Sequence, residues 1–457
     1  MNHIIRYTSF TTIVAQATPP GRGGVSIIRV SGNKSAKVAR FILKKLPVPR
    51  YAEYLSFHDY NTGNIIDKGI TLWFPAPNSF TGEDVLELHT HGSPVVVDMI
   101  INIIANIPGV RIANPGEFSE RAFINNKIDL IQAEAIIDLI NASSEQAARA
   151  ALNSLQGIFS SHIGKLVQKI NKLRVVIEAA IDFSIEQSHN LSINNLIKQL
   201  NDIIKIITDI YHHAQQGSLI QESKKIVIIG NPNVGKSSIF NALTRKNTAI
   251  VSEFVGTTRD VLHEYINIDG IIFHIIDTAG IHNTTNIIEK IGIERTLQEI
   301  KNADHVLYIV DTTFSKEKIK SSIMRHNIPY SQLTIIRNKI DLKGENSKIT
   351  KIDDYIMINI SAQTEDGINI LRKHIKHNFI MSNTLEGLFL ARRRHLKLLE
   401  IAKKHLQKSK NIIINGNYFE LLAEELRLTQ KTLSKITGKY SSENLLGEIF
   451  NSFCIGK

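Results

Sequence analysis

The sequence predicts a multidomain chain of mixed α+β and α/β class. A β-rich N-terminal domain comes first, then a helical domain, and a phosphate-loop domain with a mostly parallel sheet and flanking helices is inserted into the helical one. Three observations predict this. At 457 residues the chain is too long for one hydrophobic core. Its apolar pattern changes from short β-branched runs to helical spacing, then to isolated buried runs, and then back to helical spacing. Within the third stretch lie GNPNVGKS (230–237), DTAG (277–280), NKID (338–341) and SAQ (361–363), each behind an apolar run. That is the order in which a guanine-nucleotide site is built.

The domains follow from these changes. Residues 1–125 mix β-branched runs with turn clusters, PPGRGG at 19–24, NTG at 61–63 and PAPN at 75–78, as a β-rich α+β domain does. Residues 126–222 are helical: Ile163, Leu166, Val167, Ile170, Leu173, Ile177, Ala180 and Ile181 fall on one face. Residues 223–380 form the nucleotide domain. Residues 381–457 are helical again, broken at Gly416–Asn417, with Leu421, Leu422, Leu426 and Leu428 as apolar positions. One helical domain interrupted by an insertion accounts for both helical parts, because domain termini often lie close together.

The nucleotide chemistry reads residue by residue. KIVII (225–229) is a buried parallel strand and 238–243 opens a helix. The loop between them, with Asn233, Val234 and Gly235, turns backbone N–H groups toward phosphate oxygens, and Ser238 continues that helix N-terminus. Lys236 reaches the β- and γ-phosphates, and the Ser237 hydroxyl is a Mg²⁺ ligand. Asp277 ends an apolar run at the magnesium's outer shell. Thr278 and Ala279 lead to Gly280, whose N–H meets the γ-phosphate. In the third element, Asn338, Lys339 and Asp341, the Asp341 carboxylate can accept both the N1–H and the 2-amino group of guanine. Adenine offers neither donor there and would leave the carboxylate unpaired. Ser361, Ala362 and Gln363 follow another run, and a backbone N–H there suits the guanine O6. The competing reading is a glycine-rich turn without a ligand.

Composition sets further bounds. A 43% hydrophobic and 21% charged chain is ordinary for a globular protein. No run of eighteen apolar residues occurs, so no membrane span is expected. The first residues lack the core of a signal peptide and the bias of a transit peptide. A single cysteine excludes an internal disulfide framework and fits a reducing, cytoplasmic location. The net charge of +11 permits a nucleic-acid partner without demanding one, since abundant Ile, Lys and Asn read as the bias of an AT-rich genome.

Many small GTPases orient the attacking water with a glutamine after the second element, but Ile281 stands here and cannot hydrogen-bond water. Asn233 can offer a side-chain carbonyl to a cation beside the phosphates. The stretch Ser252, Glu253, Phe254, Val255, Gly256, Thr257 and Thr258 can supply backbone carbonyls to the same cation, with Thr258 as a second Mg²⁺ ligand. A monovalent cation there would act as an arginine finger does.

These residues, together with IVAQATPPGRGGVSIIRVSG, PNSFTGEDVLELHTHG, PGEFSERAFINNKIDLIQAEAIIDLI, DTAGIHNTTNIIEKIGIERT and the terminal FCIGK, resemble the MnmE (TrmE) family of tRNA-modification GTPases from end to end. The resemblance implies a folate-binding-like N-terminal domain and a Ras-like GTPase domain. It also implies a homodimer that pairs with an FAD-dependent partner, MnmG (GidA), in a heterotetramer. Together they would add an aminomethyl or carboxymethylaminomethyl group at C5 of the wobble uridine, position 34, of certain tRNAs. The one-carbon donor would be a tetrahydrofolate derivative, 5,10-methylenetetrahydrofolate, for which the 5-formyl compound is an analogue.

GTP hydrolysis is then expected to be stimulated by K⁺ and by dimerisation of the GTPase domains. The implied K⁺ contacts are Asn233, Ser252, Phe254 and Thr257, and the Mg²⁺ ligands are Ser237 and Thr258. Glu289 would orient the attacking water through a second water, beside Lys236 and Gly280 in catalysis. On its own it reads as a solvated carboxylate at a helix start. The implied folate residues are Arg29, Glu87, Lys127 and Lys457. Chemistry supports Glu87, because a pterin shows the same N–H and amino pair as guanine. By alternation with Leu86 and Leu88 alone, it is a solvent-facing strand carboxylate.

Cys454 is a candidate functional thiol or an inert one; CIGK fits a prenylation box only formally. His89 and His91 are spaced i,i+2 without a third ligand, which argues against zinc. The basic run Arg392, Arg393, Arg394, His395, Lys397, Lys403, Lys404, Lys408 and Lys410 reads as a solvated helix face, with tRNA contact as the alternative. Two rival functions remain: an Era/Der-like ribosome-assembly GTPase, and a folate-dependent one-carbon transferase regulated by GTP.

Overall fold

The computed structural model describes residues 11–142, 144–182, 193–221, 224–244, 262–268, 271–277, 298–314, 328–352, 355–379, 389–416, 418–439, 449–450, 453 and 456. Ser252, Glu253, Phe254, Val255, Gly256, Thr257, Thr258, Thr278, Ala279, Gly280, Glu289, Cys454 and Lys457 lie outside them. The chain forms two compact units, one from residues 1–137, 155–204 and 401–457, the other from 138–154 and 205–400.

The first unit opens with six strands, β1 (Thr12–Gln16), β2 (Gly23–Ser31), β3 (Glu53–His58), β4 (Ile65–Phe74), β5 (Val85–Gly92) and β6 (Val110–Ile112). They pair in the order β3-β4-β5-β2-β1-β6, antiparallel except for β1 with β6. One face is covered by α1 (Ser35–Leu43) and α2 (Pro94–Ala105), whose Val38, Ile42, Ile100 and Ile104 join Ile28, Val30, Leu86 and Leu88 in a buried core. Each such side chain contributes roughly 1.5–3 kcal/mol on burial. Alternation therefore sends Arg29, Glu87 and His89 to the other face.

The described helices continue with α3 (Glu117–Ile124), α4 (Leu130–Ile140), α5 (Glu145–Leu155), α6 (Ile158–Asp182) and α7 (Ile193–Gln221). In α6, Ile163, Leu166, Ile170, Leu173 and Ile177 are buried as their spacing predicts. Ile181 is 37% exposed, because the apolar stripe drifts off the packed face at the helix end.

The chain's last part returns to this unit. Of α10 (Arg393–Asn415) and α11 (Phe419–Ser434), α11 packs along α6, and Arg174 there bonds Gln430. Leu422, Leu426 and Leu433 are buried, but Leu421 is 57% exposed, one position off the buried stripe. Ile449, Phe450 and Phe453 pack on Leu130 and Ala133. Gly456, at φ +100, then lies against β1. A Cβ there would stand 1.8 Å from the Gln16 carbonyl oxygen, so only glycine fits.

The second unit is built on seven strands, β7 (Lys224–Gly230), β8 (Leu262–Ile268), β9 (Ile271–Asp277), β10 (His305–Asp311), β11 (Leu333–Asn338), β12 (Lys348–Ile352) and β13 (Tyr355–Asn359). Their order is β12-β13-β11-β10-β7-β9-β8. The five inner strands are parallel and the two edge strands antiparallel. Near-continuous apolar strands are what a sheet buried on both faces requires. Ile226, Ile228, Leu307, Ile309 and Ile336 pack on one face, and Val227, Ile229, Val306, Tyr308 and Ile335 on the other. The first face receives α8 (Lys236–Thr244) and α9 (Ile368–Phe379). Among the described residues, no helix is long and apolar enough to cross a membrane.

Candidate functional site

Parallel strands place their carboxyl ends at one edge, where α/β ligand sites form. There β7 runs into the phosphate loop, β9 ends at Asp277, β11 ends at Asn338, and Ser361 follows β13. The register pairs Ile228 with Asp277 and Ile309 with Gly230, so the loop and the acid begin at the same level.

The loop is held from three sides. Lys236 Nζ donates to the carbonyls of Gly230 at 3.1 Å and Asn231 at 3.0 Å, folding its ammonium over the loop. The Ser237 hydroxyl donates to Asp277 Oδ2 at 3.0 Å. Asn338 Nδ2 donates to the Val234 carbonyl at 3.0 Å, and Asn338 Oδ1 accepts from the Ala362 N–H at 3.0 Å. Gly235 sits at φ +96, and a Cβ there would lie 2.3 Å from Asn338 Nδ2. Asn233 and Lys339 both hold positive φ, 62° and 66°, and Lys339 Nζ donates to the Asn233 carbonyl at 2.7 Å. Paired non-glycine residues in that region mark a loop whose shape is imposed by its surroundings.

The electrostatics suit a divalent cation. Asp277 is 8% exposed, and its Oδ1 is buried without a hydrogen-bond partner among the described residues. Burial raises its carboxyl above the usual range, against the opposing pull of Ser237 and Lys236. Burial likewise lowers the Lys236 ammonium, which Asp277 opposes. An orphaned carboxylate oxygen beside a serine hydroxyl is a donor set that fits Mg²⁺. Of the residues read as K⁺ contacts, only Asn233 is described, exposed at the loop surface.

The guanine elements stand at the same edge. Asp341 and Lys339 open a short 3₁₀ turn, Ile340–Lys343. The Ser361 hydroxyl accepts from the Thr364 N–H at 3.3 Å, shaping the loop that carries Ala362 and Gln363. Sequence reading missed the tie from Asn338 to both neighbouring loops. It also missed Arg372, which donates to the Ala242 and Leu243 carbonyls at the end of α8.

In the first unit, Arg29 Nε donates to Glu87 Oε1 at 2.8 Å, and Arg29 Cζ lies 5.6 Å and 5.8 Å from the Phe80 and Phe118 ring centres. Glu87 is thus a half-buried, paired carboxylate, where alternation alone made it solvent-facing. Lys127 Nζ donates to the Pro77 carbonyl at 2.9 Å, in the same loop that carries Phe80. Behind it lies an ion network that the sequence did not reveal. Glu117, 1% exposed, pairs with Arg111 and Arg121, and Arg121 also reaches Glu83. His91 pairs with Asp67 at 2.7 Å.

A phosphate loop behind an interior parallel strand, with guanine-type loops at the same edge, defines a GTP-binding P-loop protein. A family model described as the MnmE helical domain matches residues 130–454, and one described as the GTP-binding protein TrmE N-terminus matches 12–127. A tRNA modification GTPase MnmE from Erwinia tasmaniensis is 54% identical over 98% of this chain and 99% of its own. One from Pectobacterium carotovorum is 53% identical over the same shares. Among solved structures, the FeoB G-domain from Methanococcus jannaschii is 29% identical over 35% of this chain and 98% of its own, with a TM-score of 0.26. The chain belongs to the MnmE family.

Proposed function

We propose that the chain is a K⁺-stimulated GTPase of tRNA modification. Acting as a cytoplasmic homodimer with an FAD-dependent MnmG-type partner, it would build an aminomethyl or carboxymethylaminomethyl group at C5 of the wobble uridine of certain tRNAs. A methylenetetrahydrofolate-type compound would supply the carbon. One observation carries the reading. The likeness to relatives named tRNA modification GTPases runs over the whole chain, so the Arg29–Glu87 face and the nucleotide edge occur together in one protein.

The division of labour follows the domains, 1–125 for folate and dimerisation, 126–222 and 381–457 for the helical part, and 223–380 for GTP. At the nucleotide edge, Val234, Gly235 and Ser238 offer backbone N–H groups, and Lys236 exchanges its loop carbonyls for phosphate oxygens. Ser237, with Asp277 behind it, would hold Mg²⁺ together with Thr258, and Asn233 with Ser252, Phe254 and Thr257 would hold K⁺. Bound there, the two cations would neutralise charge that develops on the phosphates. Asp341 takes the two guanine donors, Ala362 lies at the O6 side, and Glu289 orients the water. In the N-terminal domain, Glu87, held by Arg29, would take the pterin N–H and amino group, and Lys127 and Lys457 would complete the folate residues.

The test is reconstitution with unmodified tRNA, the flavin partner, GTP, methylenetetrahydrofolate and an amine that supplies the nitrogen (ammonium for the aminomethyl group, glycine for the carboxymethylaminomethyl group), followed by mass spectrometry of the wobble nucleoside. The reading expects a new C5-aminomethyl-type uridine that depends on every component. An unchanged uridine with active GTPase would contradict it.

A further inference from the structure

Glu87 and His89 are two residues apart on β5, so they share the sheet face that turns away from α1 and α2. Arg29 is the cross-strand partner of Glu87, and its Nε bond goes to Oε1. The other oxygen, Oε2, faces His89 Nε2 at 3.7 Å, beyond hydrogen-bond reach. That Nε2 is shielded from solvent and makes no hydrogen bond to any described residue. A shielded polar atom without a partner is costly, and an acceptor on a bound ligand would satisfy it.

We propose that His89 is a specificity-determining residue of the N-terminal site, donating from Nε2–H to the 4-oxo group of a reduced pterin seated on Glu87. This rests on the reading of Glu87 given above. A 2-amino-4-oxo pterin edge offers donor, donor and acceptor: the 2-amino group, N3–H and O4. Oε1, Oε2 and Nε2–H of the protein offer acceptor, acceptor and donor in the same order. The Arg29 bond uses one lone pair of Oε1 and leaves the other for the amino group. Burial alone would raise the Glu87 carboxyl, but His89 and Arg29 more than reverse this and hold it below the usual range. Glu87 therefore stays an acceptor at both oxygens. The Phe80 and Phe118 rings, 5.6 Å and 5.8 Å from the Arg29 guanidinium, help to fix it, and with it the carboxylate.

The full-length protein, its nucleotide site saturated with GDP and Mg²⁺, is titrated calorimetrically with 5-formyltetrahydrofolate. His89→Leu is expected to weaken binding about tenfold, the loss of one hydrogen bond to a buried group. His89→Gln, whose amide restores an N–H, is expected to stay within about threefold of the native protein. Glu87→Ala is expected to abolish binding. Native affinity in His89→Leu, with Glu87→Ala inactive, overturns the role of His89 alone. A Gln variant as weak as the Leu variant also overturns it, because only packing would then matter. Undiminished binding in Glu87→Ala, or no binding by the native protein, overturns the Glu87 reading itself. Guanosine carries the same edge on a purine, and its competition at equal concentration would overturn the assignment to a pterin.

Discussion

Asn338 holds Val234 through a 3.0 Å hydrogen bond from its side-chain amide to the phosphate-loop carbonyl, while its own carbonyl accepts from Ala362. One buried side chain thus couples the phosphate loop after β7 to the loop after β13 that is read as the base-binding loop. Asn338→Ala leaves the Val234 carbonyl and the Ala362 N–H without this partner, at about 1–3 kcal/mol each. GTP affinity measured by fluorescent-nucleotide titration is expected to fall at least about tenfold. Asn338→Asp retains only the Ala362 bond and is expected to be no better. Wild-type affinity in either variant would mean that the loops hold their shape independently.

Asp341 gives a prediction about base choice. Asn in its place exchanges one carboxylate oxygen for an N–H donor, which mismatches the guanine 2-amino group and matches the O2 of xanthine. Asp341→Asn is expected to lose about a hundredfold or more in GTP affinity and to gain XTP binding, read by competition between the two nucleotides. Loss of both nucleotides would point to a collapsed loop instead.

Much of this was legible in the sequence, and the reasons for the rest are physical. The five parallel strands of the second unit are largely apolar runs, and the loops after them carry the residue types read as phosphate and guanine elements. Alternation puts Glu87 on the face away from the helices, but it cannot report that Arg29 on the neighbouring strand pairs with it there. Leu421 and Ile181 were over-counted because a helix buries a stripe narrower than its apolar content. The Asn338 ties and the Glu117 network join residues distant in sequence, and no local pattern encodes such pairings.

His305 predicts a pH dependence far from the chemistry. It is 3% exposed, with its Nε2 2.9 Å from the Thr334 hydroxyl, which in turn lies 2.9 Å from His374 Nε2. Burial, with His374 adding to it, lowers the His305 imidazole from 6.5 to about 4. The folded state therefore binds this proton more weakly than the unfolded chain. The stabilisation is present above pH 6.5 and is lost as pH falls from there toward 4, by about 3 kcal/mol. Hydrogen exchange of β10 and β11, corrected for intrinsic rates, is expected to show protection falling between pH 7 and 5. His305→Gln, which does not titrate, should flatten that slope. An equal slope in the variant would assign it to other groups.

Glu117 is nearly solvent-free between Arg111 and Arg121, its oxygens 2.6 Å and 2.9 Å from the two guanidinium groups. Removing one partner of a buried ion network costs more than the network contributes, about 3–5 kcal/mol, because the remaining charges lose their neutraliser. Glu117→Ala is expected to unfold the N-terminal sheet at lower urea, followed by the fluorescence of Trp73, the chain's single tryptophan, which is 4% exposed. An unshifted midpoint would show the network to be energetically neutral.

GTP turnover of the purified protein in K⁺ against Na⁺, at equal ionic strength and with Glu289→Ala alongside, tests the central claim most directly. The account predicts a large stimulation specific to K⁺, lost in the variant while GTP affinity is kept. Equal turnover in both salts, or a variant as fast as the native protein, would contradict it.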